Sequence, residues 1–262
     1  MGRSLFARDF VKHILRKAAL KLIMQSLISL TFDDGLRCQF EEAVPILDRF
    51  GIPATFFLTA NQDLTHESWD HRGEWWKIDW REDDIATLKK LINDGHEIGS
   101  HGLTHCEQKM RADPLAEAFK SKELIEGWLD TNVTSFCYPY YSWLQAHLAD
   151  AVRNAGYEQA RGGRQASYYA VRGDQPFDRF NVDCRQVSPN DKVSEWVRPG
   201  FWHVLTFHAV GGQGDGWEPI GVKQFDMLMA ELAIYRDDGA VEILPFNRAV
   251  DRMESREPES EK

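Results

Sequence analysis

The stretch LISLTFDDG, residues 27–35, places a run of apolar and β-branched residues directly before two adjacent carboxylates. The run predicts a buried strand over Leu27–Phe32. Gly35 allows a turn that brings the carboxylates of Asp33 and Asp34 to one side of the chain. Two carboxylates this close repel each other unless a positive charge compensates them, so the strand end is a candidate site. An exposed Asp-Asp-Gly turn is the structural alternative.

Outward from this strand, the apolar pattern alternates between a strand period and a helix period. That alternation is typical of an α/β fold with a parallel sheet, and about seven β/α units form a single domain over residues 27–250. Strands are predicted at 27–32, 52–58, 96–99, 133–138, 158–161, 180–184, 204–208 and 240–246. Helices are predicted at 41–50, 83–94, 114–129, 143–155, 192–197 and 222–235.

Two segments flank this predicted domain. Residues 1–26 form a basic leader, predicted to be helical, that covers one end of the fold or contacts a membrane surface. Lys21 and Gln25 interrupt its apolar run and no small-residue cleavage site follows, so a cytoplasmic location is expected, with export and peripheral membrane association as alternatives. Residues 251–262 are charged and are expected to form a disordered tail.

Composition narrows the class of partner. The 262 residues carry a formal net charge of −10, whereas nucleic-acid binding needs clustered Lys and Arg, so we expect no nucleic-acid partner. The four cysteines are scattered without disulfide-framework or zinc-finger spacing, and free thiols are expected. Because the net charge of the protein is negative, we expect a neutral or cationic substrate. The pattern gives no indication of the oligomeric state.

A second polar cluster, Ser-His-Gly-Leu-Thr-His at residues 100–105, follows the third predicted strand. The carboxyl ends of the strands in a closed parallel barrel converge on one face, so this cluster is expected to meet the two carboxylates. His101, His105 and one Asp then make an N,N,O ligand set for a divalent ion, with positions left open for water and substrate. The other carboxylate could take a proton from water. Two surface histidines are the structural alternative.

Two further clusters end predicted strands. They are Phe-Cys-Tyr-Pro-Tyr at residues 136–140 and Leu-Thr-Phe-His at residues 205–208. His208 ends an otherwise apolar run, where an imidazole is a candidate general acid and a structural histidine is the alternative. All four clusters therefore fall at strand ends that a barrel would bring together.

Taken in order along the chain, these clusters resemble the motifs of the polysaccharide deacetylases of carbohydrate esterase family 4, also called the nodulation-deacetylase homology domain. The resemblance covers about residues 27–246. It implies a distorted (β/α)7 barrel, similar to a TIM barrel, in which Asp34, His101 and His105 hold a divalent metal ion. Zinc is the expected ion.

The same resemblance implies the catalytic roles. Asp33 would be the base that takes a proton from water, and His208 would be the acid that protonates the leaving amine or alcohol. The backbone N–H of Tyr140, in the third motif, would bind the oxyanion.

The chain departs from the family pattern at two places. The third motif normally begins with Arg, whereas this chain has Cys137 there. Arg161 or Arg164, in the loop after the next strand, could supply the missing charge, and a solvated loop is the alternative. Asp183 is assigned by position alone to the weak fourth motif, which supports the acid histidine.

The predicted activity is metal-dependent hydrolysis of acetyl groups from N-acetylated or O-acetylated sugars of a polysaccharide or glycan, so a carbohydrate is the expected partner. One alternative is an amidase of small cyclic imides or ureides on the same fold, which the missing Arg and the absence of a clear export signal favour. Another is an inactive carbohydrate-binding relic. The presence of both Asp33 and Asp34 favours the deacetylase.

Overall fold

Strand β1, Ser26–Phe32, is the central strand of the sheet, and all seven of its residues are buried. The computed structural model describes residues 25–60, 78, 80–140, 142–162, 170–173, 175–211 and 219–255, leaving aside the side chains of 142–144. Strand β8, Phe201–Phe207, pairs with β1 in parallel from Leu27 to Phe32. Ser26 already belongs to β1, and residues 1–24 of the predicted leader lie outside the described residues.

The strands on the other side of β1 follow one another in chain order. They are β2 Thr55–Leu58, β3 Glu97–Ser100, β4 Ser135–Cys137 and β5 Gln159–Arg161, all paired in parallel. Strand β7, Arg185–Gln186, runs parallel to β8, with the two-residue strand β6, Val171–Arg172, antiparallel to β8. A parallel bridge from Arg161 to Val182 joins β5 to the segment leading into β7. The sheet thus curls into a ring, which confirms the predicted α/β barrel.

The described helices, apart from the last, cover the outside of the sheet. They are α1 Val44–Phe50, α2 Glu82–Asn93, α3 Glu107–Ala112, α4 Pro114–Leu129, α5 Ser142–Asn154, α6 Val222–Asp237 and α7 Phe246–Glu254, with a π-helical turn at Gln39–Ala43. The predicted start of α4 is confirmed, because the Asp113 carboxylate accepts a hydrogen bond from the Ala116 N–H at 3.0 Å. Among the described residues, the helices are too short or too polar to cross a membrane.

Helix α7 fills the barrel at the amino ends of the strands. Its Phe246, Val250 and Met253 are buried in one cluster with Trp202 of β8. Glu97 of β3 accepts a hydrogen bond from the Asn247 N–H at 2.9 Å, which fixes the start of the helix. The carboxyl ends of the strands therefore remain for a site.

Three predictions need correction. The helix extends to Glu254, so the predicted disordered tail over 251–262 is wrong for its first four residues; burial of Met253 orders them. A helix predicted at 192–197 is only the short 3₁₀ turn Val193–Glu195. Burial of Val193 and Trp196 gives it a helical spacing, but the connection between β7 and β8 holds little more than one turn. The strand predicted at 180–184 contributes the Val182 bridge, with β7 starting at Arg185.

We expect His203 of β8, which is 3% exposed, to make the folded protein less stable at acidic pH. Burial, reinforced by Arg198 and Arg185, lowers its pKa to about 4. Because the unfolded chain takes up a proton near pH 6.5 that the folded chain does not, stability falls as pH falls from 6.5 towards 4. His203→Leu should reduce the loss of unfolding free energy between pH 7 and pH 5 by about 2 kcal/mol in urea titrations.

The exposed His147 of α5 offers a control, since His147→Gln should leave the pH dependence unchanged. An unchanged slope in the His203→Leu variant would show that another group governs acid sensitivity.

Candidate metal and catalytic site

The three predicted metal ligands meet at the carboxyl ends of β1 and β3. Asp34 Oδ1 lies 3.6 Å from Nε2 of His101 and 3.6 Å from Nε2 of His105. One ligand atom from each residue lies within 4.8 Å of the other two, and all three side chains are buried. Two imidazole nitrogens and one carboxylate oxygen at this spacing suit a divalent ion such as zinc. The residues present therefore fit the metal that the sequence predicts.

The backbone makes this convergence possible. Asp34 and His105 adopt positive φ angles of 78° and 54°, and Gly35 follows at 71°. A regular strand would send Asp33 and Asp34 to opposite faces, whereas the left-handed residue turns both carboxylates to the open end of the barrel. Non-glycine residues in this region cost about 1–3 kcal/mol each and cluster at functional sites.

His101 is oriented for ligation by the strand beside it. Its Nδ1–H donates to the carbonyl of Cys137 at 3.0 Å, which directs Nε2 towards Asp34. Burial lowers the pKa of His101, and this effect outweighs the opposite influence of Asp33 and Asp34. The imidazole is therefore held neutral, as a metal ligand must be.

Tyr140 supports the other histidine. Its hydroxyl donates to the carbonyl of His105 at 3.0 Å, and the two rings lie 4.7 Å apart. Tyr140 itself has a positive φ of 57°. The side chain thus has a structural contact that the sequence did not predict, whereas the role of its backbone N–H stays a prediction.

Asp33 lies beside the predicted metal ligands, and Arg161 compensates its negative charge. The Arg161 Nη2 contacts both carboxylate oxygens, and the guanidinium, 0% exposed, also donates to Thr206 Oγ1 at 2.8 Å. Arg161 of β5 thus supplies the positive charge that Cys137 lacks. Arg161 was one of the two residues predicted for this role. The other alternative, Arg164, lies outside the described residues.

His208, directly after β8, completes the group. Its Nε2 lies 3.9 Å from Oδ2 of Asp33, and the side chain is buried. Asp183 lies between β5 and β7 and is partly buried, with the buried Val182 and Cys184 on either side of it. Its suggested support of His208 stays a prediction.

A second set of ligand atoms, from Asp33, His101 and Cys137, also lies within 4.8 Å. The Arg161 guanidinium contacts two of its members, with Nη2 2.7 Å from Cys137 Sγ. Burial raises the pKa of the Cys137 thiol, which disfavours the thiolate that a metal needs. The set containing Asp34 is therefore the better metal site.

Gln39 is part of the site, and the sequence did not predict this. This residue begins the π-helical turn after β1, and its Nε2 donates to the carbonyls of both Asp33 and His208. A glutamine four residues beyond a Gly-containing turn carries no pattern that distinguishes it from a surface residue. Only the fold shows that it is buried between two site residues.

A comparison with known proteins identifies the family that this sequence matches. A family model described as polysaccharide deacetylase matches residues 24–160, which is more than half of the chain. Arg161 and His208 lie beyond the matched residues, so their assignment depends on the geometry above.

Two curated proteins of Bacillus subtilis (strain 168) are similar over part of their length. YlxY is 29% identical over 108 residues, which are 40% of this chain and 28% of that protein. YxkH, whose name gives polysaccharide deacetylase as a provisional designation, is 25% identical over 133 residues, 50% of this chain and 42% of that protein. The match thus spans less than half of each relative.

Solved structures share the fold. The Xyl-CE4 domain of a multidomain xylanase from the hindgut metagenome of Trinervitermes trinervoides is 16% identical, with a TM-score of 0.55 over 87% of this chain and 91% of that one. A family 4 acetyl xylan esterase from Clostridium thermocellum, in complex with a cobalt ion, is 17% identical, with a TM-score of 0.50 over 86% and 90%. At this identity the likeness shows a common fold.

Replacing Arg161 by methionine should lower the free energy of unfolding by about 3–5 kcal/mol, because the buried Asp33 would lose its compensating charge. Urea denaturation of the metal-free protein measures the loss. Adding Asp33→Asn should recover part of it, since the uncompensated charge is then removed.

The half-exposed pair of Arg111 with Glu107 on α3 gives a matched control. Arg111→Met should cost less than about 1 kcal/mol. Equal losses in the two single variants would refute a stabilising role for the Asp33–Arg161 ion pair.

Proposed function

The chain belongs to the polysaccharide deacetylase family, and from that premise we propose that it is a metal-dependent hydrolase. The proposed reaction removes acetyl groups from N-acetylated or O-acetylated sugars of a polysaccharide or glycan. The observation that carries the proposal is the convergence of Asp34, His101 and His105 next to Asp33 and His208 at one end of the barrel. A carbohydrate is the proposed partner, and the cytoplasmic location stays a prediction.

Asp34, His101 and His105 would hold the ion, for which we propose zinc. When bound, such an ion supplies a water of lowered pKa and polarises the acyl carbonyl. The buried, neutral His101 and the carboxylate of Asp34 give the charge and donor atoms that this ion requires.

Asp33 is the proposed base. It is buried beside the ligand set, and the Arg161 guanidinium fixes its orientation by contacting both carboxylate oxygens. In the proposed step Asp33 takes a proton from the attacking water while the water oxygen bonds to the acyl carbon. Arg161 acts here as a positioning residue, because it touches the base rather than the substrate.

His208 is the proposed acid. Its Nε2 lies 3.9 Å from Asp33 Oδ2, so base and acid face the same small volume. The bond from the acyl carbon to nitrogen or oxygen breaks, His208 gives its proton to the leaving amine or alcohol, and acetate is released. The Tyr140 N–H is proposed to donate to the oxyanion before that bond breaks.

The position of Arg161 supports the deacetylase over the cyclic ureide amidase. The departure at Cys137 was the main residue-level argument for the amidase, and Arg161 supplies an equivalent charge to Asp33 from β5. The inactive relic is disfavoured because ligands, base and acid lie together in one buried group.

Three variants separate metal binding from turnover. Asp34→Ala and His101→Ala should each abolish stoichiometric zinc in the purified protein, because each removes one of three ligands. Asp33→Asn should retain the metal and lower kcat by about 100- to 10,000-fold, because the proton acceptor is lost. Elemental analysis with steady-state kinetics measures both. Full metal content in both ligand variants would remove the site assignment.

Acetate release from acetylated chitooligosaccharides tests the substrate class. We expect turnover that a chelator abolishes and added zinc restores, since the proposed water activation needs the ion. Cyclic ureides, assayed in parallel, should give no ring opening. Turnover of ureides alone would favour the amidase, and sugar binding without either reaction would favour the relic.

A further inference from the structure

Gln39 connects the proposed base to the proposed acid. Its side chain is 0% exposed, and its Nε2 donates to the carbonyl of Asp33 at 2.6 Å and to the carbonyl of His208 at 2.9 Å. Both neighbours are carbonyl acceptors, so the orientation of the amide follows from its partners. One NH₂ group thus uses both of its protons to join Asp33 to His208, which lies 169 positions along the chain from Gln39.

The Gln39 amide lies where the backbone pairing between β1 and β8 ends. Strands β1 and β8 pair up to Phe32 and Phe207, and the Asp33 N–H still donates to the Phe207 carbonyl at 3.1 Å. Beyond that point, the positive φ of Asp34 takes the chain away from the sheet. Backbone pairing therefore stops where the two catalytic side chains begin, and the Gln39 amide replaces the missing contact between the strands.

The buried position of Gln39 carries an energetic cost. Its Oε1 is buried without a hydrogen-bond partner within the described part of the chain, and an unpaired buried acceptor costs about 1–3 kcal/mol. The residue begins a π-helical turn, a rare form that occurs often at functional sites. Both features are expected where a side chain is needed for position rather than for stability alone.

We propose that Gln39 is a positioning residue that sets the spacing between the Asp33 carboxylate and the His208 imidazole. The proposal rests on the proposed function, because it takes Asp33 as base and His208 as acid. Loss of the amide allows the ends of β1 and β8 to separate, and a displacement of about 1 Å at a reacting group lowers the rate by about 100-fold.

The test compares Gln39→Met with Gln159→Met. Gln159 of β5 is a matched control, since it is 2% exposed and its Nε2 also donates twice, to Ser135 Oγ at 2.8 Å and Thr134 Oγ1 at 3.0 Å. Both variants lose a buried amide of the same size. Only Gln39→Met should lower kcat on the acetylated sugar, by about 10- to 100-fold, with KM and zinc content retained.

Gln39→Asn adds a graded variant. Its side chain is one methylene shorter, so we expect its NH₂ group to reach only one of the two carbonyls. Its kcat should fall between those of the wild type and Gln39→Met. Equal kcat values for Gln39→Met and Gln159→Met would overturn the proposal.

Crystal structures of the wild type and Gln39→Met give a measurement that does not need activity. The distance from Asp33 Oδ2 to His208 Nε2, 3.9 Å in the present structure, should change by about 1 Å in the variant. If the wild type hydrolyses no acetylated sugar, the proposed function fails while this distance still decides the spacing role. An unchanged distance would overturn it.

Discussion

The contact between Asp33 and Arg161 is the interaction on which the site depends. The two residues are 128 positions apart, so their contact joins the carboxyl end of β1 to β5, and both side chains are buried. An uncompensated carboxylate at this depth would be expensive, because the barrel interior solvates charge poorly. The guanidinium therefore allows a second carboxylate, Asp34, to stand next to Asp33 and remain available for a cation.

The barrel interior is divided along its axis, and the division gives the site its chemistry. Apolar residues of α7 and Trp202 pack at the amino end, where Glu97 is a buried carboxylate with its own hydrogen bonds. The Arg161 guanidinium and the carboxylates of Asp33 and Asp34 lie at the carboxyl end. The apolar part excludes water, which lowers the pKa of His101 and keeps its imidazole neutral. Electrostatic interactions among the polar groups are strengthened for the same reason.

The sequence predicted those features that depend on local pattern. The alternation of periods predicted most of the strands and helices. The polar clusters at strand ends predicted that His101 and His105 would meet one of the two carboxylates, and the family resemblance identified that carboxylate as Asp34. Gln39 could not be predicted, because its partners come from two strands and its burial follows from the path of the π-helical turn. Helix α7 was not predicted, because a strand was expected up to residue 246 and a disordered tail from residue 251. Met253 is ordered by the barrel rather than by its own charged neighbours.

Cys137 contacts two parts of the site, the proposed metal ligand His101 and the guanidinium of Arg161. The carbonyl of Cys137 accepts a hydrogen bond from His101, a proposed metal ligand, while its sulfur contacts the Arg161 guanidinium that holds Asp33. A family-type arginine at this position would put a second guanidinium against the first in a buried space, where like charges repel strongly. The two placements of the positive charge are therefore alternatives. Because the guanidinium comes from β5 and lies against the Cys137 sulfur at 2.7 Å, a small side chain at position 137 leaves room for it.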